Sequence, residues 1–151
     1  MKTAAVFSVL LAATTSLAAP AKRADQPVTI SGLWASLGKE HGSVQLSLED
    51  PNFNDSTSAT IDWNRPGVPP TDSRTADGNY YVHFPDAGTD ITDLSRLSIQ
   101  LERVKGPESI SFTVYNEAND SKWTCYGVNG TDVTQECRFI GEGFSVPPTS
   151  S

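Results

Sequence analysis

The sequence predicts an all-β protein, an antiparallel two-sheet sandwich or flattened barrel of about eight or nine short strands. Three observations point there. Apolar residues recur at a spacing of two along most of the chain, which places successive side chains on opposite faces of an extended strand. Clusters of Gly, Pro, Asn and Asp interrupt the alternation at short intervals. Helical spacing is confined to one stretch, 90–96, where Ile91 and Leu94 stand three apart and Asp90 can cap one or two turns.

The chain opens on a segment outside this fold. Lys2 supplies a basic start, 4–13 an apolar run and the small residues around Ala18 a cleavage site, so 1–18 reads as a secretory signal peptide. Residues 19–23 read as a short propeptide ending at the dibasic processing pair Lys22 and Arg23. One β domain is expected over 24–146, followed by a tail, 147–151, that has nothing to bury and is expected to be disordered.

The first strand is expected over 28–37, where the apolar set changes parity from Val28 and Ile30 to Leu33, Ala35 and Leu37. Gly32 sits at the change, the place for a bulge that re-aims the side chains. The clearest alternation follows in Ser43-Val44-Gln45-Leu46-Ser47-Leu48-Glu49, and it returns in Leu97-Ser98-Ile99-Gln100-Leu101-Glu102 and Ile110-Ser111-Phe112-Thr113-Val114-Tyr115. Weaker alternation marks 59–63, 80–84, 122–126, 137–140 and 144–146. The run 64–78 holds Pro66, Pro69 and Pro70 with no apolar period, and a structureless loop of that length is either functional or mobile.

With 151 residues and a charge of -7 the chain holds a single domain, and cleavage after Arg23 would leave eight basic residues against eighteen acidic ones, a charge of -10. Such an acidic surface disfavours nucleic acids and anionic membranes as partners and favours a monomer in solution. The expected location is extracellular. Cys125 and Cys137 are the only cysteines, and the oxidising secretory route makes an intramolecular disulfide the default. Asn54, Asn119 and Asn129 each begin an N-glycosylation sequon between strands.

Catalytic signals are weak. His41 lies in a Gly-bounded turn and His83 on the solvent face of its strand, so a metal-free acid/base enzyme of the secreted ribonuclease type is a distant reading. Most of the scattered Asp residues sit at turns, where their side chains cap backbone N–H groups. No catalytic residue, metal site or cofactor is assigned. Trp34, Trp63 and Trp123 could supply a platform for stacked sugar rings, as in carbohydrate-binding modules, and Trp63 is the best candidate because it borders the Pro-rich run. Tryptophan in a small sandwich is more often core.

The Ala-Pro-Ala-Lys-Arg start, Pro27-Val28-Thr29-Ile30-Ser31-Gly32-Leu33, Val44-Gln45-Leu46-Ser47-Leu48-Glu49-Asp50-Pro51-Asn52, Trp123-Thr124-Cys125, Cys137 and Gly143-Phe144-Ser145-Val146-Pro147 together carry a likeness. In these segments the chain resembles the small secreted fungal proteins related to the Alternaria major allergen, some of which are described as hypersensitive-response-inducing protein elicitors. It implies an all-β barrel or sandwich without established enzymatic activity that binds a host plant protein or receptor and provokes defence or cell death. Trp63, Pro66, Pro69 and Pro70 are then the expected contact surface, and cell-wall polysaccharide is the alternative partner. Relatives usually carry a second cysteine pair; the corresponding regions hold Thr60, Ser73 and Thr75, which leaves 64–78 unstapled and expected to be mobile.

Overall fold

The computed structural model describes residues 26–106, 108–116, 122–129 and 132–150, with the backbone only at Ser150. The signal peptide, the processing pair Lys22 and Arg23, and the Asn119 sequon lie outside the described residues.

Among the described residues, ten strands form two antiparallel sheets that face each other as a sandwich and do not close into a barrel. The larger sheet holds β1 (Val28–Gly38), β2 (His41–Asp50), β3 (Asp55–Asn64), β7 (Trp123–Gly127), β8 (Val133–Phe139) and β9 (Phe144–Val146). Its order is β3-β2-β1-β8-β7, with β9 paired to the start of β1. The smaller sheet, ordered β10-β6-β5-β4, consists of β4 (Tyr80–His83), β5 (Arg96–Arg103), β6 (Glu108–Tyr115) and β10 (Thr149–Ser150).

The parity change in β1 is a bulge. Register shifts between Ser31 and Trp34, and Gly32 adopts φ 58°, a left-handed conformation that L side chains rarely take. The bulge lets one strand serve two partners: 28–30 pair with β9, and 34–38 pair with β8. It also keeps Val28, Ile30, Leu33, Ala35 and Leu37 on the inner face, each at most 1% exposed. Opposite them the smaller sheet contributes Tyr80, Val82, Leu97, Ile99, Leu101 and Ile110 to the same core.

Two expectations need correction. The stretch 90–96 forms no helix: 90–95 have no regular secondary structure, Arg96 begins β5, and side chains take the backbone groups of Leu94. Gln135 Oε1 accepts from Leu94 N at 2.8 Å and Trp123 Nε1 donates to Leu94 O at 2.8 Å, while the Leu94 side chain is fully buried. The tail is partly ordered: Thr149 pairs with Ser109, and its hydroxyl donates to Ser109 O at 2.9 Å.

The Pro-rich run forms no strand of its own, as its sequence predicts, and it hydrogen-bonds to its surroundings. Ala76 N donates to Ser58 O of β3, while Thr75 N donates to Tyr80 O and Val82 N to Ser73 O beside β4. The segment therefore bridges an edge of each sheet. Buried Thr75 donates to Asp77 Oδ1 at 2.7 Å and accepts from Tyr80 N at 3.1 Å. Hydrogen bonds thus tie the run to both sheets.

Candidate functional site

The outer face of the larger sheet is set by strand parity. Because Leu33 and Ala35 point inward, Trp34 must point out, and it is half-buried among its neighbours. Register places it opposite Gln45 of β2 and Arg138 of β8. One row along the sheet, Ser36 faces Ser43 and Glu136, and Glu136 faces Tyr126 of β7.

Glu136 organises the aromatic pair on this face. Its carboxylate accepts from the Tyr126 hydroxyl at 2.5 Å and also from the Trp34 side chain. These two hydrogen bonds, Tyr126 first, hold the Glu136 carboxyl below its usual range, and the same bond to Glu136 raises the Tyr126 phenol. Arg138 lies 5.8 Å from the Tyr126 ring centroid.

The same face ends in a concavity of about 390 Å³. Ser36, Ser43 and Asp62 form its floor, and Lys39, Glu40, His41 and Asp132 stand around it. Polar side chains from β1, β2, β3 and the chain before β8 thus meet beside the aromatic pair.

The remaining predicted residues are distributed as follows. Cys125 and Cys137 are directly opposed on β7 and β8 and form a disulfide with Cα atoms 4.0 Å apart. Trp123 and Phe139 are the next inward pair, as their two-residue spacing requires. The disulfide fits an oxidising, extracellular setting. Asn54 and Asn129 are exposed, Asn54 in a turn with φ 57°.

Much of the expected contact surface is inaccessible. Trp63 is 5% exposed, its ring lying over Gly42 and 6.4 Å from Phe84, and Pro69 is buried. Only Pro66 and Pro70 of that set are exposed. The parity of Ala59, Ile61 and Trp63 already assigns Trp63 to the core, and the parity of β1 already turns Trp34 outward. Trp123 is buried at 1%.

The two histidines sit on different sheets. His41 borders the concavity, whereas His83 on β4 stacks with Tyr81 and lies 3.5 Å from Glu102. The turn carboxylates are engaged in structure. Asp90 accepts from Gly67 N at 3.0 Å and pairs with Arg65, interactions that keep its carboxyl below the ordinary range. Asp93 is lowered by hydrogen bonds from Ser95 and Gln135. Burial pushes the Asp77 carboxyl up, but hydrogen bonds from Thr75, Asn79 and Thr57 outweigh it and leave the net shift downward. Among the described residues, no three of His, Cys, Asp and Glu gather as a metal-holding group.

No family model, curated protein or solved structure matches the chain.

Proposed function

We propose that the protein is a secreted fungal elicitor that binds a host plant component and provokes defence or cell death without catalysing a reaction. The observation that carries this reading is the open face of the larger sheet, where Trp34 and Tyr126 are fixed on strands beside a polar concavity. Side chains held by strand backbone and by a shared carboxylate are preorganised for contact, which lowers the entropy lost on binding. The secretory start and the allergen-related motifs supply the direction, toward a plant host.

Infiltration of purified protein into leaves, scored for cell death and defence-gene induction, tests the proposal. Induction in at least one host is expected, and inert behaviour across several hosts overturns it.

A further inference from the structure

We propose that the outer face of the larger sheet, from Tyr126 and Trp34 to the concavity at Asp62, binds a neutral cell-wall glycan built of pyranose rings with equatorial hydroxyls. The inference rests on the preceding reading only in identifying the host component.

Glu136 engages the polar edges of both rings, and Arg138 stands over one side of Tyr126, so what half-buried Trp34 and 39% exposed Tyr126 offer a ligand is the part of each ring face left open to solvent. An aromatic face presents a flat, apolar surface of large area. Pyranose rings with equatorial hydroxyls match it, since their axial C–H groups form a flat apolar face and their hydroxyls radiate outward. Gln45 and Arg138, directly opposite Trp34 on its two neighbouring strands, are placed to meet those hydroxyls with planar donors and acceptors.

The dimensions require more than one sugar. Trp34 and Tyr126 lie two strands and two residues apart, so their Cα atoms are separated by about 12 Å. Their side chains both hydrogen-bond Glu136, which fixes the two rings on either side of one carboxylate along that span. The concavity extends it in the direction of β3.

Charge selects among glycans. Glu40, Asp62 and Asp132 outnumber Lys39 around the concavity, which disfavours uronic-acid polymers and leaves neutral chains as the fitting class. The linkage is read by experiment.

The secreted protein is incubated with insoluble cellulose, β-1,3-glucan and chitin, with polygalacturonate as the anionic control, and titrated calorimetrically with the matching neutral hexasaccharides. Retention on at least one neutral polymer is expected, with none on polygalacturonate. Trp34→Ala and Tyr126→Ala should each weaken hexasaccharide binding about tenfold or more. Tyr115→Ala, which removes a 45% exposed tyrosine from the smaller sheet, should leave binding unchanged. Tyr126 is 39% exposed, so its variant carries the test should Trp34→Ala fold poorly.

Absence of retention on all three neutral polymers overturns the proposal, as does wild-type binding by both aromatic variants. Equal retention on polygalacturonate overturns the charge argument and with it the proposal. If Trp34→Ala instead abolishes self-association seen in sedimentation, a second copy covers the face and the glycan does not. Leaf infiltration is scored separately: glycan binding by an inert protein refutes only the elicitor reading, and cell death without glycan binding refutes only this one.

Discussion

A Cβ atom built on Gly42 would lie 2.2 Å from Cζ2 and 2.3 Å from Cε2 of Trp63, closer than any real contact permits. Gly42 lies directly opposite Trp63 across β2 and β3, and its missing side chain makes room for the indole. Gly42→Ala should therefore destabilise the fold by about 1–3 kcal/mol, measured by chemical denaturation. Tyr80 presents a different problem, a fully buried side chain whose hydroxyl lies between Asp50 and Arg103. It donates to Asp50 Oδ2 at 2.5 Å and accepts from Arg103 at 2.7 Å, and Arg103 also meets Asp55 at 2.5 Å. Tyr80→Phe leaves the buried Asp50 carboxylate without that donor and should cost about 1–3 kcal/mol. Burial, reinforced by the Asp50 carboxylate, pushes the Tyr80 phenol above the ordinary tyrosine range. The stability it provides is complete below about pH 10, the unfolded value, and is lost as pH rises beyond it. Thermal melts at increasing alkaline pH should show a steeper decline in the native protein than in Tyr80→Phe. None of this network was legible in the sequence, because Asp50, Tyr80 and Arg103 come from three strands and meet only when both sheets are assembled. The placement of Trp34 and Trp63, by contrast, follows from counting residues along β1 and β3; proximity to the Pro-rich run is a weaker guide than parity.

Strands were legible wherever one face is buried and the other wet, since that condition imprints alternation on the sequence. β2 and β5 show it plainly. The segment 90–95 was not legible because the spacing of Ile91 and Leu94 suits either a helical turn or an extended chain that turns two side chains into a core. What decides between them is distant in sequence: Gln135 and Trp123 take the Leu94 backbone groups, and Asp90 accepts from Gly67 and Arg65 in place of capping a helix. Asp90 thereby links this segment to the Pro-rich run, and Arg65 Nη1 extends the clamp to Gly38 O at 2.6 Å. The Asp90 carboxyl is lowered on folding, so its contribution is complete above about pH 4 and is lost as pH falls through the folded value. Asp77 and Asp93 follow the same sign. Asp90→Asn should lower the melting temperature at pH 6 while narrowing the difference between native protein and variant at pH 3. An unchanged difference at the two pH values would assign the acid sensitivity to other carboxylates.

At the scale of the whole molecule, β7 is an edge strand that pairs with β8 alone among the described residues, and its covalent attachment comes from Cys125 and Cys137. Two aromatic side chains of β7 depend on that attachment, one in the core and one on the candidate face. Trp123 enters the core from β7 at 1% exposure, whereas Tyr126 leaves from the same strand toward Glu136 on the outer face. The bridge closes a loop of sequence separation 12, for which chain entropy contributes about 3 kcal/mol. In a domain of this size that is a substantial share of a total stability of about 5–15 kcal/mol. Replacing both cysteines by serine should lower the melting temperature by roughly 10 °C, with reduction of the native protein giving a similar shift. The β7 edge should open before the rest, because the other strands of the larger sheet retain their pairing. Hydrogen exchange should accordingly show amides of 123–127 losing protection in the double variant, while those of β2 and β3 keep theirs. A uniform loss across both sheets would mean that the bridge stabilises the sandwich as one cooperative unit, and that the face carrying Trp34 and Tyr126 cannot loosen without global unfolding.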